Sequence, residues 1–319
     1  MTITRSLAVG LALSMPMAAM AEVSWPDKPS QLVVIAGAGG GSDYVLRLLA
    51  TELEKNAGHP VTIVNQAQGA GVVGMTTYVN AKPDGSVVGQ MSPFAQYRMM
   101  GQADFTSASF TPIAMVNMDP AAVTVAPNSE LESIGIIVTK LKADPASLRI
   151  SCGGGCNASW DIPFVSLMLD EGVDVAKLNL IPAAGSAAGL QELASGGVDI
   201  VLSSLPETDA LRDAGMVKNL VVFSAERLAR YPDVPTVAEE TGKPVAGGTW
   251  RGIAGPAGLD AELASRIEAA VKQAYDSELF QNGMQERGFG TVWMDAAALS
   301  DFMAEHEVQT ERVINALNP

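Results

Sequence analysis

The chain has 319 residues, of which 48% are hydrophobic, and its 20 Lys and Arg residues are outnumbered by 35 Asp and Glu residues, giving a formal charge of −15 at pH 7. This acidic balance, without a cluster of basic residues, argues against nucleic acid as a partner. A negatively charged ligand would have to be held by local backbone donors or a single Arg, because the overall field repels it. Length and composition predict about two globular α/β domains.

Residues 1–21 have the features of a secretory signal peptide. A positive charge at Arg5 precedes a short apolar segment, and Ala19-Met20-Ala21 fits the pattern of small residues at a cleavage site. The apolar segment is too short to anchor the chain in a membrane. We therefore expect cleavage between Ala21 and Glu22 and a periplasmic location.

The first part of the remaining chain alternates between strands and helices. Strands are predicted at 31–35, 61–65 and 86–91, with a helix at 44–55 and a helical segment ending near Lys82 between them. This βαβαβ order is typical of a parallel sheet with helices on its faces.

A second α/β series follows a less regular segment, 92–119, and an apolar run at 121–126. The predicted strands are 148–152, 177–182, 198–203 and 220–223, and the predicted helices are 131–143, a helix through Phe164, Leu167 and Met168, 186–195 and 206–214. The C-terminal part is predicted to be helical, with two apolar stripes that we interpret as core packing: Leu263, Ile267, Ala270, Val271 and Ala274, then Leu299, Phe302, Met303 and His306.

The glycine-rich segment 37–43 (GAGGGSD) joins the first predicted strand to the first predicted helix. The N-terminus of a helix leaves N–H groups unpaired and carries the positive end of the helix dipole, so this turn suits a carboxylate or a phosphate. Ser42 or Asp43 is a candidate N-cap of the helix. The alternative is that the glycines only allow the chain to reverse its direction.

Sequence motifs for catalysis are weak or absent. Gly69, Gly71 and Gly74 match the GxGxxG fingerprint of dinucleotide-binding proteins, but no acidic residue closes a following strand about 20 positions on. The sequence contains no Walker A, GxSxG or HExxH motif. His59 and His306 lie beside no convincing nucleophile. We therefore expect no enzymatic activity and no cofactor.

Cys152 and Cys156 bracket three glycines in a second glycine-rich turn. A zinc site would need further Cys or His ligands that the chain lacks, so we expect no metal. In an oxidising compartment the two cysteines can form a disulfide if the loop brings their Cα atoms within about 7 Å. Reduced thiols packed at a ligand site, or a pair active in thiol exchange, are the alternatives.

Several short motifs occur in an order that resembles the substrate-binding proteins of tripartite tricarboxylate transporters, the Bug family. The resemblance runs from about Trp25 to the C-terminus, and its motifs lie at residues 25–29, 32–43, 69–74, 82–85, 110–113, 185–187, 197–199, 232–239 and 250–258. Each motif is weak alone, but their order is specific.

The resemblance implies an α/β periplasmic binding protein of type II, with two doubly wound lobes that close on a ligand like a flytrap. The first lobe would comprise residues 22–123 and a helical C-terminal part at 249–319, and the second lobe would comprise 124–248. The chain would cross between the lobes near 122–126 and 248–254.

The resemblance also implies that the protein captures a small organic acid and delivers it to a large and a small membrane permease subunit. The acid could be a mono- or dicarboxylate, an aromatic acid or an amino acid, and we expect a monomer. Two alternatives are a ligand-sensing protein that signals to a membrane receptor and an exported hydrolase, for which the sequence offers no recognisable nucleophile.

By position, the resemblance implies that a carboxylate is gripped by a turn from each lobe. The candidate ligand-binding residues are Gly39, Gly40, Gly41, Ser42, Asp43, Gly69, Ser92, Cys152, Gly153, Gly154, Asn157, Gly185, Ser186, Ser203 and Ser204. Arg98 and Arg251 could pair with a second carboxylate, or they could form salt bridges on the surface or between the lobes.

Overall fold

The structure is a computed structural model that describes residues 25–318, so the predicted signal peptide and its cleavage site lie outside the described residues. The first elements are β1 (Ser30–Val34), α1 (Gly41–Ala57), β2 (Val61–Asn65), α2 (Val72–Val79), β3 (Val87–Met91), α3 (Ala95–Met99) and β4 (Phe110–Val125).

The next elements are α4 (Ile134–Ala143), β5 (Arg149–Ser151), α5 (Asp161–Asp170), β6 (Asn179–Ile181), α6 (Ser186–Ala194), β7 (Ile200–Ser204), α7 (Leu205–Asp213), β8 (Lys218–Val222) and α8 (Val237–Thr241). The last are β9 (Gly248–Pro256), α9 (Ala261–Tyr275), α10 (Glu278–Arg287), β10 (Thr291–Met294) and α11 (Ala296–Leu317). No helix among residues 25–318 has the length and apolar character needed to cross a membrane.

The predicted alternation of strands and helices is confirmed for β1 to β3 and for α4 to β8. The C-terminal part, predicted to be helical, also contains the strands β9 and β10, so that prediction is wrong in part. A further difference lies at segment 92–119. This segment is not irregular, because it contains α3 and most of β4, a strand of 16 residues. Pro112 and Pro120 lie within this strand. They kept it from being predicted from the sequence, because proline usually argues against a strand inside a sheet. Both prolines are paired in register with β9, opposite Ala254 and Gly248.

The strands form one continuous mixed sheet with the order β2-β1-β3-β9-β4-β7-β5-β6, while β8 and β10 also pair with β4. β1 is parallel to β2 and β3, and β5 is parallel to β6 and β7. β9 is antiparallel to both β3 and β4, and β4 is antiparallel to β7. The sheet therefore consists of two parallel sets of strands joined by the long strand β4.

The two parallel sets end facing each other along β4. Because β4 runs in the same direction as β1–β3 and opposite to β5–β7, the carboxyl ends of the two sets point towards one another. β3 ends at Met91, at the level of Met115, whereas β7 ends at Ser204, opposite Ala121. These levels are six positions apart along β4, about 20 Å at 3.3 Å per residue. We call the part of the molecule around β1–β3 the first half and the part around β5–β7 the second half. The turns that follow both sets of strands therefore lie in the space between these halves.

Each half has its own hydrophobic core, and α11 contributes to both. Leu299 and Met303 pack with Trp250 in the core of the first half, whereas Val313 and Ile314 belong to the core of the second half. The sequence-based division assigned all of α11 to the first lobe. α11 is 22 residues long and also contacts α5.

Gly89 of β3 gives a test of this packing. An alanine Cβ at this position would lie 2.0 Å from Cδ1 of Tyr78, a fully buried ring whose hydroxyl donates to the carbonyl oxygen of Gln90. We expect Gly89→Ala to lower the free energy of unfolding in urea by about 2 kcal/mol or more.

The control is Gly135→Ala on the exposed face of α4, where the nearest atom lies 3.7 Å from the added Cβ. This change should be neutral or stabilise by up to about 1 kcal/mol, because alanine is the better helix former. Equal stabilities of the two variants would contradict the packing described for β3.

Candidate ligand site between the two halves

The first glycine turn leaves three amides open at the N-terminus of α1. The helix begins at Gly41, and the N–H groups of Gly41, Ser42 and Asp43 have no acceptor among residues 25–318. The prediction that Ser42 or Asp43 is the N-cap is wrong, because Gly40 holds that position and caps without a side chain. Three unpaired amides at the positive end of a helix suit a carboxylate.

Asp43 holds the turn from within. Its Oδ2 accepts hydrogen bonds from the Gly39 N–H at 2.8 Å and from Arg47 Nε at 2.9 Å, and its Oδ1 accepts one from Asn65. Burial opposes ionisation of this carboxyl, but the hydrogen bonds from Arg47, Gly39 and Asn65 outweigh it and hold the pKa of Asp43 below its ordinary value. Asp43 and the Gly39 N–H are thus engaged inside the turn.

Ser42 connects the turn to the strands that join the halves. Its hydroxyl oxygen accepts from Arg251 Nε at 2.8 Å and from Gln90 Nε2 at 3.1 Å, so its own proton remains available to donate. The same Gln90 nitrogen donates to Ser92, whose hydroxyl donates to the Trp250 carbonyl oxygen. Ser92 therefore supports the turn through its neighbours.

A buried polar network lies beneath Ser42, where β4 and β9 pair. Arg251 is 7% exposed and donates through Nη1 to Asp119 Oδ2 at 2.7 Å and to Asn117 Oδ1. Asp119 is 2% exposed and also accepts from the Gly290 N–H at 2.9 Å, while Asn117 donates to the Gly290 carbonyl oxygen. Sequence reasoning singled out Arg251 but missed Asn117 and Asp119, two polar residues within an apolar run.

The second glycine turn follows β5 and is closed by a disulfide between Cys152 and Cys156, whose Cα atoms are 5.3 Å apart. The N–H groups of Gly154, Gly155 and Cys156 have no acceptor within the described chain. Gly153 has a φ of +63°, and a Cβ there would lie 1.9 Å from the Leu202 carbonyl oxygen, so only glycine fits. This turn, like the first, presents successive free amides.

Polar groups from three connections meet beside this second turn. The Ser186 hydroxyl lies 3.3 Å from the Gly153 carbonyl oxygen and 2.9 Å from Glu207 Oε2. The same carboxylate oxygen accepts from the N–H and the hydroxyl of Ser204. Ser203 is fully buried in β7, and its hydroxyl lies 3.5 Å from the Ser204 carbonyl oxygen.

Asp161 holds the second turn as Asp43 holds the first, but no cationic side chain among residues 25–318 pairs with it. Its two oxygens accept from the N–H groups of Asn157 at 2.7 Å and Ala158 at 2.9 Å, and Asn157 has a φ of +63°. Desolvation raises the pKa of Asp161 to about 6, although the hydrogen bonds from Ala158 and Asn157 act against this rise. The two turns therefore share a geometry and differ in charge compensation.

The remaining sequence candidates have mixed positions. Gly69 lies in an exposed turn before α2, and Gly185 precedes α6 with open space around it. Arg98 donates to Glu307 at 2.8 Å, which agrees with the salt-bridge alternative. Among residues 25–318, no cluster of three or more His, Cys, Asp or Glu side chains could hold a metal ion.

A cavity of about 820 Å³ lies beside the polar network and is lined by residues of both halves. Its apolar walls include Phe223, Tyr231 and Phe289, and the ring of Phe289 lies 3.1 Å from an ideal Cβ at Gly41. The cavity lies next to the first turn and has the size of pockets for small organic molecules.

These features define a two-lobed α/β fold of the periplasmic binding-protein type. A solute-binding protein of the TctC type from Polaromonas, solved without ligand, has a TM-score of 0.79 and 27% identity, with 92% of this chain and 99% of that chain covered. Two Rhodopseudomonas palustris structures share the fold at lower identity. MatC with bound malate has 23% identity and a TM-score of 0.73, covering 91% of this chain and all of its own, and a protein with adipate has 22% and 0.74, covering 92% and 98%.

The sequence model of the tripartite tricarboxylate transporter family receptor, TctC, matches residues 45–318. The chain therefore belongs to this family of solute-binding receptors. Among curated relatives, protein BugT of Bordetella pertussis is 24% identical over 318 residues, which cover 97% of this chain and 96% of BugT. The family expected from the sequence motifs is thus confirmed.

The buried ion pair between the halves leads to a second prediction. Arg251→Met leaves the Asp119 carboxylate buried without its cation, so we expect a loss of about 3–5 kcal/mol in the free energy of unfolding. The control is Lys142→Met, which removes the exposed partner of Glu171 and should cost no more than about 1 kcal/mol. Similar losses in urea for both variants would contradict a structural role for Arg251.

The contrast between the two carboxylates predicts opposite pH dependences. Because the pKa of Asp161 is raised from 3.8 to about 6 in the folded chain, its contribution to stability falls as the pH rises through this window, by up to about 3 kcal/mol. The pKa of Asp43 is lowered, so its contribution is lost as the pH falls through and below 3.8.

The measurement is the free energy of unfolding in urea between pH 3 and 7 for the wild type, Asp161→Asn and Asp43→Asn. Relative to Asp161→Asn, the wild type should lose stability as the pH rises from about 4 to 6. Relative to Asp43→Asn, it should gain stability as the pH rises. The same trend in both comparisons would show that the pKa of Asp161 is not raised as described.

Proposed function

We propose that this receptor captures a small organic acid between its two halves and delivers it to the large and small membrane permease subunits of a tripartite tricarboxylate-type transporter. The observation that carries the proposal is the pair of turns with free amides at strand ends that face each other along β4. Residues 22–123 with 249–319, and 124–248, are the proposed lobes. Removal of the signal peptide at residues 1–21 would release the protein into the periplasm.

In the proposed complex, a ligand carboxylate accepts hydrogen bonds from both turns. The first lobe supplies the amides of Gly41 and Ser42 and the Ser42 hydroxyl, and the second supplies the amides of 154–156. Neither lobe alone completes this set of donors, so the ligand has more contacts in the closed arrangement than in the open one. Binding therefore favours closure through its differential contacts.

Neutral donors suit this chain better than a cluster of cations. Arg251 places Nη2 3.2 Å from an ideal Cβ at Gly41, but its charge is offset by Asp119 at 2.7 Å. On the other side, Asp161 and Glu207 bring negative charge close to the second turn. The free amides and the Ser42 hydroxyl must therefore supply most of the attraction for an anion.

The family and two structural neighbours support a small carboxylic acid as the class of ligand. Those neighbours hold malate and adipate, which supports a dicarboxylate as the first candidate for this chain. Monocarboxylates, aromatic acids and amino acids present the same carboxylate and belong in the same screen.

The proposal is tested by thermal unfolding of the purified protein with a panel of mono-, di- and tricarboxylates, aromatic acids and amino acids. An acid that binds the native state raises the melting temperature with its concentration, by mass action. A panel in which no acid raises the melting temperature, while the protein unfolds cooperatively, would contradict the proposal.

Gly40→Val tests the first turn directly. A Cβ at Gly40 comes no closer than 3.4 Å to the Gly37 carbonyl oxygen, and the φ of −80° suits any residue, so the fold should persist. The added methyl groups would cover the first amides of α1. We therefore expect the affinity for the acid that gives the largest rise in melting temperature to fall at least about 100-fold in calorimetry.

The control for this variant is Gly135→Val, which adds the same side chain to an exposed position of α4. Its affinity should equal that of the wild type. Unchanged affinity in Gly40→Val would exclude the first turn from the site, whereas an equal loss in both variants would point to a general effect of the substitution.

A further inference from the structure

We propose that the Cys152–Cys156 disulfide determines ligand affinity, because it holds the amides of residues 154–156 in place as a preformed receptor for a carboxylate. The inference rests on the proposed function and extends it by assigning a role to the two cysteines. In this role their side chains are positioning groups, which act through the backbone amides of the turn and do not contact the ligand themselves.

The near side of the disulfide ring is fixed to the rest of the second half. The Cys152 N–H donates to the Ile181 carbonyl oxygen at 2.9 Å, and the carbonyl oxygen of Gly154 accepts from the Ala183 N–H at 2.8 Å. The Ser186 hydroxyl lies 3.3 Å from the Gly153 carbonyl oxygen. Cys152 itself is fully buried. The ring therefore starts from a rigid base.

The far side of the ring has no such support. Within residues 25–318, the backbones of Gly155 and Cys156 make no hydrogen bond, and an ideal Cβ at Gly155 would meet nothing within 4 Å. The next fixed point along the chain is the Asn157 N–H, which donates to Asp161. The disulfide is thus the constraint that limits the conformations of this glycine segment, since glycine backbones are otherwise the most mobile.

The constrained segment carries a run of backbone donors that an anion-binding turn requires. Three successive free N–H groups, those of Gly154, Gly155 and Cys156, lie between two residues with left-handed φ, Gly153 and Asn157, each at +63°. Successive amides around such turns form concave sites that bind carboxylates and phosphates. Preorganised donors bind more tightly because the ligand does not have to order them.

The glycine turns of the two halves are held in place by different interactions. The first turn is held by hydrogen bonds from Gly39, Arg47 and Asn65 to Asp43. The second turn has Asp161 on its far side but no cation beside it, and a covalent link takes the place of the missing ion pair. Loss of the link should therefore loosen the second turn and leave the first unchanged.

The test compares three forms of the protein by calorimetry: the oxidised wild type, the wild type reduced with dithiothreitol, and the double variant Cys152→Ala/Cys156→Ala. Reduction transfers two electrons and two protons from dithiothreitol, which closes to a cyclic disulfide while the protein gains two thiols. The titrant is adipate, or the panel acid that gives the largest rise in melting temperature. We expect the reduced and the double-variant proteins to bind at least about tenfold more weakly than the oxidised one.

Two controls separate affinity from stability. Dithiothreitol should leave the affinity of the double variant unchanged, which excludes a direct effect of the reagent. Circular dichroism at the titration temperature should show that all forms are folded. If the disulfide has a purely structural role, its loss will lower the melting temperature but leave the affinity equal in all folded forms. That result would overturn the inference.

Two further outcomes are distinct from this one. Two free thiols in the unfolded, unreduced protein would overturn the inference, because no disulfide would exist to act. Absence of binding by the oxidised wild type to every acid of the panel would instead contradict the proposed function, and the inference with it.

Discussion

The ion pair between Arg251 and Asp119 lies where the two halves of the molecule are joined, and the position of the first glycine turn depends on it. Both side chains are almost fully buried, so neither charge is tolerable without the other. Asn117 and Gly290 complete the hydrogen bonds of the pair, and Ser42 attaches α1 to it through Arg251 Nε. The site is therefore built on the rigid crossing strands and not on loops alone.

Each half uses a carboxylate to hold its glycine turn, but the charge of that carboxylate is compensated in only one of the two halves. In each half a carboxylate in the first turn of a helix accepts the N–H of a residue four positions earlier, Gly39 for Asp43 and Asn157 for Asp161. Arg47 compensates the first carboxylate, whereas burial without a cation raises the pKa of the second to about 6. The first turn is consequently the more favourable place for an anion, and the second needs its free amides well ordered.

Much of the fold could be predicted from the sequence because its information is local. Short apolar strands separated by helices with caps and turns identify a parallel α/β arrangement, and the glycine turns mark strand ends that can face a ligand. The strand at Val61–Asn65 was predicted to the residue, and β1, β3 and β5–β8 within a few positions, whereas β9 and β10 lie in the C-terminal part that was predicted to be helical.

Other features depend on contacts between distant residues, which the sequence does not record. The long strand β4 was missed because Pro112 and Pro120 interrupt its apolar pattern, yet both face positions of β9 that accommodate them. The buried roles of Asn117 and Asp119 depend on Arg251, more than 130 residues away in the chain. Ser204 and Ser186 looked like free ligand groups, but Glu207 occupies their hydroxyls.

The most direct test of the account is a crystal structure with the acid that binds in the thermal screen. The account predicts a ligand carboxylate within hydrogen-bond distance of amides from both turns, Gly41 or Ser42 on one side and residues 154–156 on the other. A carboxylate held by one half alone, or bound with no amide of either turn within hydrogen-bond distance, would contradict it.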